Sequence, residues 1–197
     1  MSSTIAAYVP SHLPESRMRR YPTKVINLIG GPGCGKSLYA SALVLKLLLR
    51  HKTVETVPDI GKMLVWQQDR EALRNQYGVA MSQYRMLEVL DGEVSFIVTE
   101  GALPQLLYYN AHYPDNVCDV EKTRMQILAW YNQFNNINIL VERDLDKPYV
   151  HRGRYQEESH AREMDFGLRQ TLEAEGIAFI TLPPDHRAII EFAATLE

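Results

Sequence analysis

The chain contains few cysteines and no long apolar run. Only two cysteines occur among its 197 residues, Cys34 and Cys118, so neither a disulfide framework nor a cysteine-based zinc site is expected. The most apolar run, residues 42–49, is too short to span a bilayer, and the N-terminal segment lacks the apolar core of a signal peptide. These absences predict a soluble, intracellular protein.

The charge is nearly balanced, with a net charge of -3 at pH 7. A strongly basic chain is therefore excluded, and any nucleic-acid contact must use a local patch. The length favours a single domain, residues 23–197, behind a flexible N-terminal arm, residues 1–22. The arm carries one basic cluster, Arg17 to Arg20, which is either a solvated segment or a contact for a polyanion.

Short apolar runs alternate with helical patterns along the rest of the chain. This alternation predicts an α/β fold, a three-layer domain in which a mostly parallel five-stranded sheet carries helices on both faces. The expected strands are 24–29, 53–57, 94–100, 137–142 and 177–182. The expected helices are 36–50, about 60–90 with Gly78 as a possible break, 103–110, 119–135, 157–175 before a Gly176 cap, and about 185–196.

A glycine-rich motif follows the first strand. Residues 30–37 read GGPGCGKS and match G-x-x-x-x-G-K-[ST], with an apolar strand before them and a helix after them. Glycines let the backbone N–H groups converge, and the helix adds the positive end of its dipole. The motif predicts a phosphate-binding loop of the Walker A type.

The predicted occupant of this loop is ATP with Mg²⁺. Lys36 is expected to bridge the β- and γ-phosphates, and the Ser37 hydroxyl is expected to ligate the metal. Cys34 is expected to fill a small position rather than to react. The predicted contacts with the nucleotide are Gly31, Pro32, Gly33, Cys34, Gly35, Lys36, Ser37, Leu38 and Arg143.

Two acidic residues lie at strand ends, where open parallel sheets bind ligands. Asp59 follows the second strand and Glu100 closes the third. Either carboxylate could accept a proton from an attacking hydroxyl or hold Mg²⁺ through water. For Glu100 the alternative is a structural cap at a helix N-terminus.

A cationic segment, residues 143–156, follows the fourth strand and is interpreted as an Arg-rich lid. Guanidinium groups brought over the γ-phosphoryl group would stabilise the charge that develops there, and Arg152 and Arg154 are the candidates. The alternative is a solvated loop whose cations pair with nearby acids.

Candidate acceptor contacts are aromatic and basic residues between these elements: Trp66, Arg70, Arg74, Tyr77, Tyr84 and Arg85. Each of them could equally belong to a packed helix. Residues 182–185, after the last strand, could flank an adenine by analogy with related folds.

The order of KVINLIGGPGCGKS, VETVPD, FIVTEGAL and the passage GRYQEESHAREMD resembles the P-loop kinases encoded by tailed bacteriophages. The resemblance covers about residues 24–182. Members of that family include kinases for 5-hydroxymethyluracil in phage DNA, which prepare hypermodified thymidines, and kinases assumed to act on free deoxynucleotides. Their fold is similar to that of thymidylate kinases, and the host cytoplasm is the implied location.

The resemblance implies roles for individual residues. Lys36 and Ser37 would contact ATP and magnesium, and Arg152 and Arg154 would belong to the lid. Glu100 stands where family members usually have Asp, and Asp59 where they often have Glu. The Asp-Arg pair of cellular nucleoside monophosphate kinases is absent at residues 100–101, which argues against a housekeeping kinase.

Three functions remain open. The first is a kinase acting on 5-hydroxymethyl-deoxyuridine within DNA, with the base flipped out of the stack. The second is a kinase for free deoxynucleoside monophosphates. The third is a nucleotide-binding switch or ATPase without an organic acceptor, although a GTPase base-reading Asn-Lys-x-Asp tetrad and a second acid beside Glu100 are missing.

Overall fold

The computed structural model describes residues 19–150 and 155–197. Five strands form one parallel sheet in the order β2-β3-β1-β4-β5: β1 (Lys24–Ile29), β2 (Val54–Val57), β3 (Phe96–Thr99), β4 (Asn135–Val141) and β5 (Ile180–Leu182). The described residues form eight helices: α1 (Lys36–Leu49), α2 (Ile60–Gln67), α3 (Arg70–Arg74), α4 (Gln76–Leu90), α5 (Leu103–His112), α6 (Val120–Tyr131), α7 (Glu158–Ala174) and α8 (His186–Thr195). The predicted α/β class and parallel five-stranded sheet are confirmed.

Strand β1 lies at the centre of the sheet, and its alternate side chains enter two different cores. Val25 and Ile29 pack with residues of α4 to α7. Ile26 and Leu28 pack with residues of α1 and α8. Since successive side chains of a strand point to opposite faces, the sheet is covered on both sides, consistent with a three-layer domain.

The long helical region is divided differently from the prediction. Gly78 lies inside α4, so the expected break there was wrong. The helices begin instead at residues whose side chains form N-caps. The Asp59 side chain accepts a hydrogen bond from Lys62 N at 3.0 Å, the Asp69 side chain accepts one from Ala72 N at 2.9 Å, and the Asn75 side chain accepts one from Gly78 N at 2.8 Å. Each cap satisfies an N–H group that a helix start leaves unbonded, and each therefore begins a new helix.

Other boundaries shift by a few residues. Strands β3 and β5 are shorter than expected, and β4 begins two residues earlier, at Asn135. Helix α7 buries Ala161, Met164, Leu168 and Leu172, the spacing of one helical face. It ends before Gly176, whose φ of 65° and N–H bond to Glu173 O confirm the predicted C-terminal cap.

Most of the predicted N-terminal arm, residues 1–18 with Arg17, lies outside the described residues. The described part of the arm contacts the turn before β3. Arg19 forms an ion pair with Asp91 at 2.7 Å, and the N–H groups of Arg20 and Tyr21 donate to Gly92 O.

Candidate functional site

The carboxyl ends of the parallel strands meet at one edge of the sheet. The glycine-rich loop follows β1, Asp59 follows β2, Glu100 follows β3 and Arg143 follows β4. In the sheet, β2 and β3 lie on one side of β1, whereas β4 and β5 lie on the other. The strand order therefore reverses at β1. Open α/β sheets bind ligands at the carboxyl end of such a reversal, which is where the loop after β1 lies.

The glycine-rich loop, residues 30–35, joins β1 directly to α1. Gly33 and Gly35 have φ values of 83° and 103°, a region that other residues rarely adopt. Gly35 is also the N-cap of α1, where no side chain forms a capping hydrogen bond. The N-terminal amide groups of α1 therefore lack a side-chain cap, as suits an anion-binding helix start.

Lys36 and Ser37 are the first two residues of α1 and directly follow this loop. The Lys36 ammonium donates to Gly30 O at 2.5 Å and to Gly31 O at 3.4 Å. The Ser37 hydroxyl donates to Glu100 Oε2 at 2.5 Å. These contacts bring the loop after β1 and the carboxylate after β3 together, as the sequence predicted.

Lys62, which sequence analysis missed, joins this group. Its ammonium donates to Ser37 Oγ at 3.1 Å and lies 3.8 Å from Glu100 Oε2. Lys62 lies in the first turn of α2, three residues after the Asp59 cap. That spacing placed a cation near Asp59, but only the fold brings it to Ser37 and Glu100.

Asp59 has two roles, since it caps α2 and lines a cavity together with Lys36 and Glu100. Burial raises the pKa of the Asp59 carboxyl, although Lys36 and the Lys62 N–H group oppose the rise. A raised pKa makes a carboxylate a better proton acceptor. Glu100 does not cap the following helix, because the N-cap of α5 is Ala102.

Gln83 links the two chain segments that carry these acids. Its Oε1 accepts from Ile60 N at 3.1 Å, and its Nε2 donates to Pro58 O at 3.1 Å and to Thr99 Oγ1 at 3.3 Å. A Cβ atom at Gly101 would lie 2.4 Å from Gln83 Oε1. A side chain at position 101 would therefore be crowded by Gln83 and by the Asp59 backbone.

The described part of the segment after β4 ends at residue 150 and resumes at residue 155. The predicted lid residues Arg152 and Arg154 therefore lie outside the described residues. Arg143 forms an ion pair with Asp165 of α7 at 2.6 Å, and Asp165 Oδ1 also accepts from Gly31 N at 2.8 Å. Lys147 pairs with Asp144 at 3.0 Å. Arg143 and Asp165 thus hold the loop from the side of α7, a contact that sequence analysis missed.

A cavity of about 240 Å³ opens beside these residues. Its polar lining includes Lys36, Ser37, Asp59, Lys62 and Glu100. Its other lining residues are largely apolar or aromatic: Val65, Leu73, Val79, Leu106, Tyr109, Tyr113 and Tyr155. Burial raises the pKa of the Tyr109 and Tyr113 phenols, so both keep their proton at neutral pH.

The candidate acceptor contacts are divided between this cavity and the packed helices. Arg70 lies over the ring of Tyr155 at 5.1 Å, beside the cavity, and Trp66 is 53% exposed on α2. Tyr84 instead stacks on Trp130 at 5.0 Å, and Tyr77 packs against the same ring. The remaining two arginines lie elsewhere: Arg74 pairs with Glu71, and Arg85 is exposed on α4.

A second cavity, of about 150 Å³, lies on the other side of the glycine-rich loop. Its lining includes five of the predicted nucleotide contacts, Gly33, Cys34, Gly35, Leu38 and Arg143, together with Tyr39, Lys147, Tyr149 and Pro184. The Tyr39 hydroxyl donates to Pro183 O at 2.7 Å, and burial raises its pKa to about 12. Pro183 and Pro184, which follow the last strand, therefore lie close to α1 and to this cavity.

Within the described ranges, 19–150 and 155–197, no group of three or more His, Cys, Asp or Glu residues could hold a metal ion. None of the described helices is long and apolar enough to cross a membrane. No model of a known protein family matches the chain, and no curated protein sequence matches it either.

Proposed function

We propose that the chain is a P-loop kinase that transfers the γ-phosphoryl group of ATP to an alcohol. The observation that carries the proposal is that Lys36, Ser37, Asp59 and Glu100 share one cavity beside a glycine-rich strand–loop–helix. Phosphoryl transfer needs a phosphate cradle, cations for the developing charge and a base for the attacking hydroxyl. These residues offer each of those groups.

ATP binding would begin at the glycine-rich loop. The α1 amide groups and the loop would receive the phosphates, and Lys36 would leave Gly30 O to bridge the β- and γ-phosphates. The second cavity, between Leu38, Tyr39 and Pro184, has a suitable place for the adenosine.

The residues beside the loop also fit a bound Mg²⁺. Ser37 and Glu100 offer hydroxyl and carboxylate oxygens, the ligand type that Mg²⁺ prefers. This metal often keeps several waters and binds substrate phosphates, so it does not require a cluster of three acids. When bound, Mg²⁺ neutralises charge on the phosphates. Ser37 would ligate it directly, and Glu100 through water.

In the proposed transfer step, Asp59 acts as the general base. As the acceptor oxygen bonds to the γ-phosphorus, Asp59 accepts the hydroxyl proton, and the bond from the γ-phosphorus to the bridging oxygen breaks to leave ADP. The raised pKa of Asp59 supports this role. Arg152 and Arg154 remain candidates for stabilising the transferred group.

The proposed acceptor is the 5-hydroxymethyl group of a deoxyuridine in phage DNA, on the thymidine hypermodification route that the family resemblance implies. Tyr109, Tyr113 and Tyr155 in the cavity support a planar base as acceptor. The exposed Arg70, which lies over the ring of Tyr155 beside the cavity, suits a phosphate, and the exposed Trp66 of the preceding helix offers a ring on which a base can stack. The net charge of -3 argues against tight binding of the polymer, so contact with DNA would have to be local.

Labelled ATP distinguishes the three candidate functions. The chain is incubated with γ-labelled ATP, Mg²⁺ and either 5-hydroxymethyluracil DNA or a panel of deoxynucleoside monophosphates. Label in the DNA supports the proposal, and label only in monophosphates favours a free-nucleotide kinase. Release of inorganic phosphate without a labelled acceptor favours an ATPase.

A matched pair of variants checks the site. Lys36→Ala is expected to abolish transfer while the fold is retained, and Lys46→Ala, near the other end of α1, is expected to leave transfer unchanged. Equal activity of the two variants would contradict the assignment of the loop.

A further inference from the structure

Lys62 contacts the oxygen atoms of the two residues that are proposed to hold Mg²⁺. Its ammonium donates to Ser37 Oγ at 3.1 Å and lies 3.8 Å from Glu100 Oε2. Ser37 Oγ in turn donates to Glu100 Oε2 at 2.5 Å. All three residues line the larger cavity. The hydroxyl oxygen and the carboxylate oxygen therefore face the same positive charge.

The position of Lys62 in its helix does not explain this contact. Lys122 has the equivalent position in α6, since it lies three residues after the N-cap Asp119 and its N–H group donates to that carboxylate at 3.0 Å. The Lys122 ammonium folds back on the same carboxylate, at 3.3 Å. Lys62 follows its own N-cap in the same way, but its ammonium reaches Ser37 and Glu100 on other elements. The difference indicates that these two residues together attract a cation.

Ser37 and Glu100 can hold one cation at a time. A serine hydroxyl has one donor hydrogen and two acceptor lone pairs. In Ser37 the hydrogen is directed at Glu100, and one lone pair accepts from Lys62. A metal ion on the remaining lone pair would share one oxygen atom with the ammonium, and two cations so close together repel each other. Metal binding at Ser37 therefore requires Lys62 to leave.

We propose that Lys62 competes with Mg²⁺ for Ser37 and Glu100: its ammonium contacts the oxygens that a bound metal would use, and it withdraws when the metal enters. The side chain is 49% exposed and has a flexible stem, so it can withdraw without disturbing α2. This inference rests on the proposed function, because Ser37 and Glu100 are the residues assigned there to Mg²⁺. It adds Lys62 to that function as a positioning residue.

Binding of Mn²⁺ in the absence of nucleotide tests the competition without phosphoryl transfer. Mn²⁺ takes the same oxygen ligands as Mg²⁺, and electron paramagnetic resonance measures the free ion. Lys62→Met removes the competing charge and is expected to tighten Mn²⁺ binding about 10-fold, the lower end of the effect of a hydrogen bond to a charged group. Lys62→Arg keeps the charge and is expected to bind Mn²⁺ as the wild-type chain does.

Lys122→Met is the control, because it removes the same charge from the equivalent position of α6. Its affinity for Mn²⁺ is expected to match that of the wild-type chain. If Lys62→Met bound Mn²⁺ no more tightly than Lys122→Met, or if Lys62→Arg bound it as tightly as Lys62→Met, the inference would be wrong. Absence of Mn²⁺ binding in all of these chains would also overturn it, because Ser37 and Glu100 would then not form a metal position.

The unaltered chain provides a second test. Since competition is reciprocal, saturating Mg²⁺ should release the Lys62 ammonium from Ser37 and Glu100. Reductive methylation followed by mass spectrometry measures the reactivity of each lysine, with Lys122 as the internal reference. Labelling of Lys62 relative to Lys122 is expected to rise about twofold or more with Mg²⁺. An unchanged ratio would overturn the inference, even if Lys62→Met failed to fold.

The outcomes separate this inference from the proposed function. Tighter Mn²⁺ binding by Lys62→Met, without transfer to any acceptor, would refute the kinase and leave the competition standing. Transfer to an acceptor, together with equal Mn²⁺ affinities of the wild-type chain and Lys62→Met, would do the reverse.

Discussion

Removing Asp165 is expected to destabilise the fold through the loop that carries the proposed ATP site. The Arg143 side chain is 8% exposed and Asp165 is 27% exposed, and two Arg143 nitrogens reach the carboxylate at 2.6 and 3.1 Å. Asp165→Ala would leave the Arg143 charge buried without its partner and Gly31 N without its acceptor. Breaking one side of a buried pair costs about 3 to 5 kcal/mol.

The lower end of that range applies, because Asp165 is partly exposed. We therefore expect Asp165→Ala to lower the free energy of unfolding by about 3 kcal/mol. In a domain of this size that loss corresponds to a fall in Tm of about 6 to 12 °C. Urea denaturation and thermal melting followed by circular dichroism measure the two quantities.

The control is Glu158→Ala, which removes an acid from the same helix. Glu158 pairs with Arg162, and their side chains are 42% and 48% exposed. An exposed pair contributes less than about 1 kcal/mol. If Asp165→Ala proved no more destabilising than Glu158→Ala, the Arg143–Asp165 contact would not hold the loop as described.

Three further variants test the site. Asp59→Asn should lower the rate of phosphoryl transfer by about 10²- to 10⁴-fold, because it removes the proposed base. The base must be ionised, so the wild-type rate should fall on acidification through a pKa above that of an ordinary Asp. A rate that does not depend on pH would exclude this role. The same variant should be more stable than wild type at neutral pH, because the folded protein then no longer contains a buried ionised carboxylate. Denaturation should show that this gain disappears below pH ~4, where Asp59 is protonated in both the folded and the unfolded protein. Gly101→Ala should lower the free energy of unfolding by about 1 to 3 kcal/mol in urea denaturation, since its Cβ would lie 2.9 Å from the backbone Cα of Asp59 as well as against Gln83 Oε1. Unchanged stability would contradict this packing. Replacing Arg152 and Arg154 together by Ala should lower kcat more than ATP affinity, and equal losses would place both residues in ground-state binding.

The candidate site could be predicted from the sequence where local rules determine position. A glycine-rich motif between an apolar strand and a helix predicted the loop. Asp59 and Glu100 were placed at the same edge because parallel strands end there together. The roles assigned to these residues stay predictions.

Contacts between distant segments could not be predicted in this way. Asp165 is 134 residues from Gly31, and no local pattern distinguishes it from the other acids of α7. Gln105 likewise reaches Gly30 N at 3.1 Å from a different helix. Gln76 resembles any polar residue at a helix start until its burial and its unbonded side-chain oxygen are seen in the fold. Tertiary packing, rather than residue type, decides which of these side chains reach the site.

The expected break at Gly78 shows a different kind of error. Glycine lowers helix propensity, but that cost is about 1 kcal/mol and a packed helix tolerates it. The caps at Asp69 and Asn75 determine where the helices begin, and both were readable in the sequence.

Calorimetric titration with a non-hydrolysable ATP analogue and Mg²⁺ tests the central claim most directly. We expect one analogue to bind per chain, and Lys36→Ala to weaken binding by about 10- to 100-fold through loss of a charge-assisted contact. Absence of binding heat in the wild-type chain, or equal affinity in Lys36→Ala, would contradict the claim that this loop holds a nucleoside triphosphate.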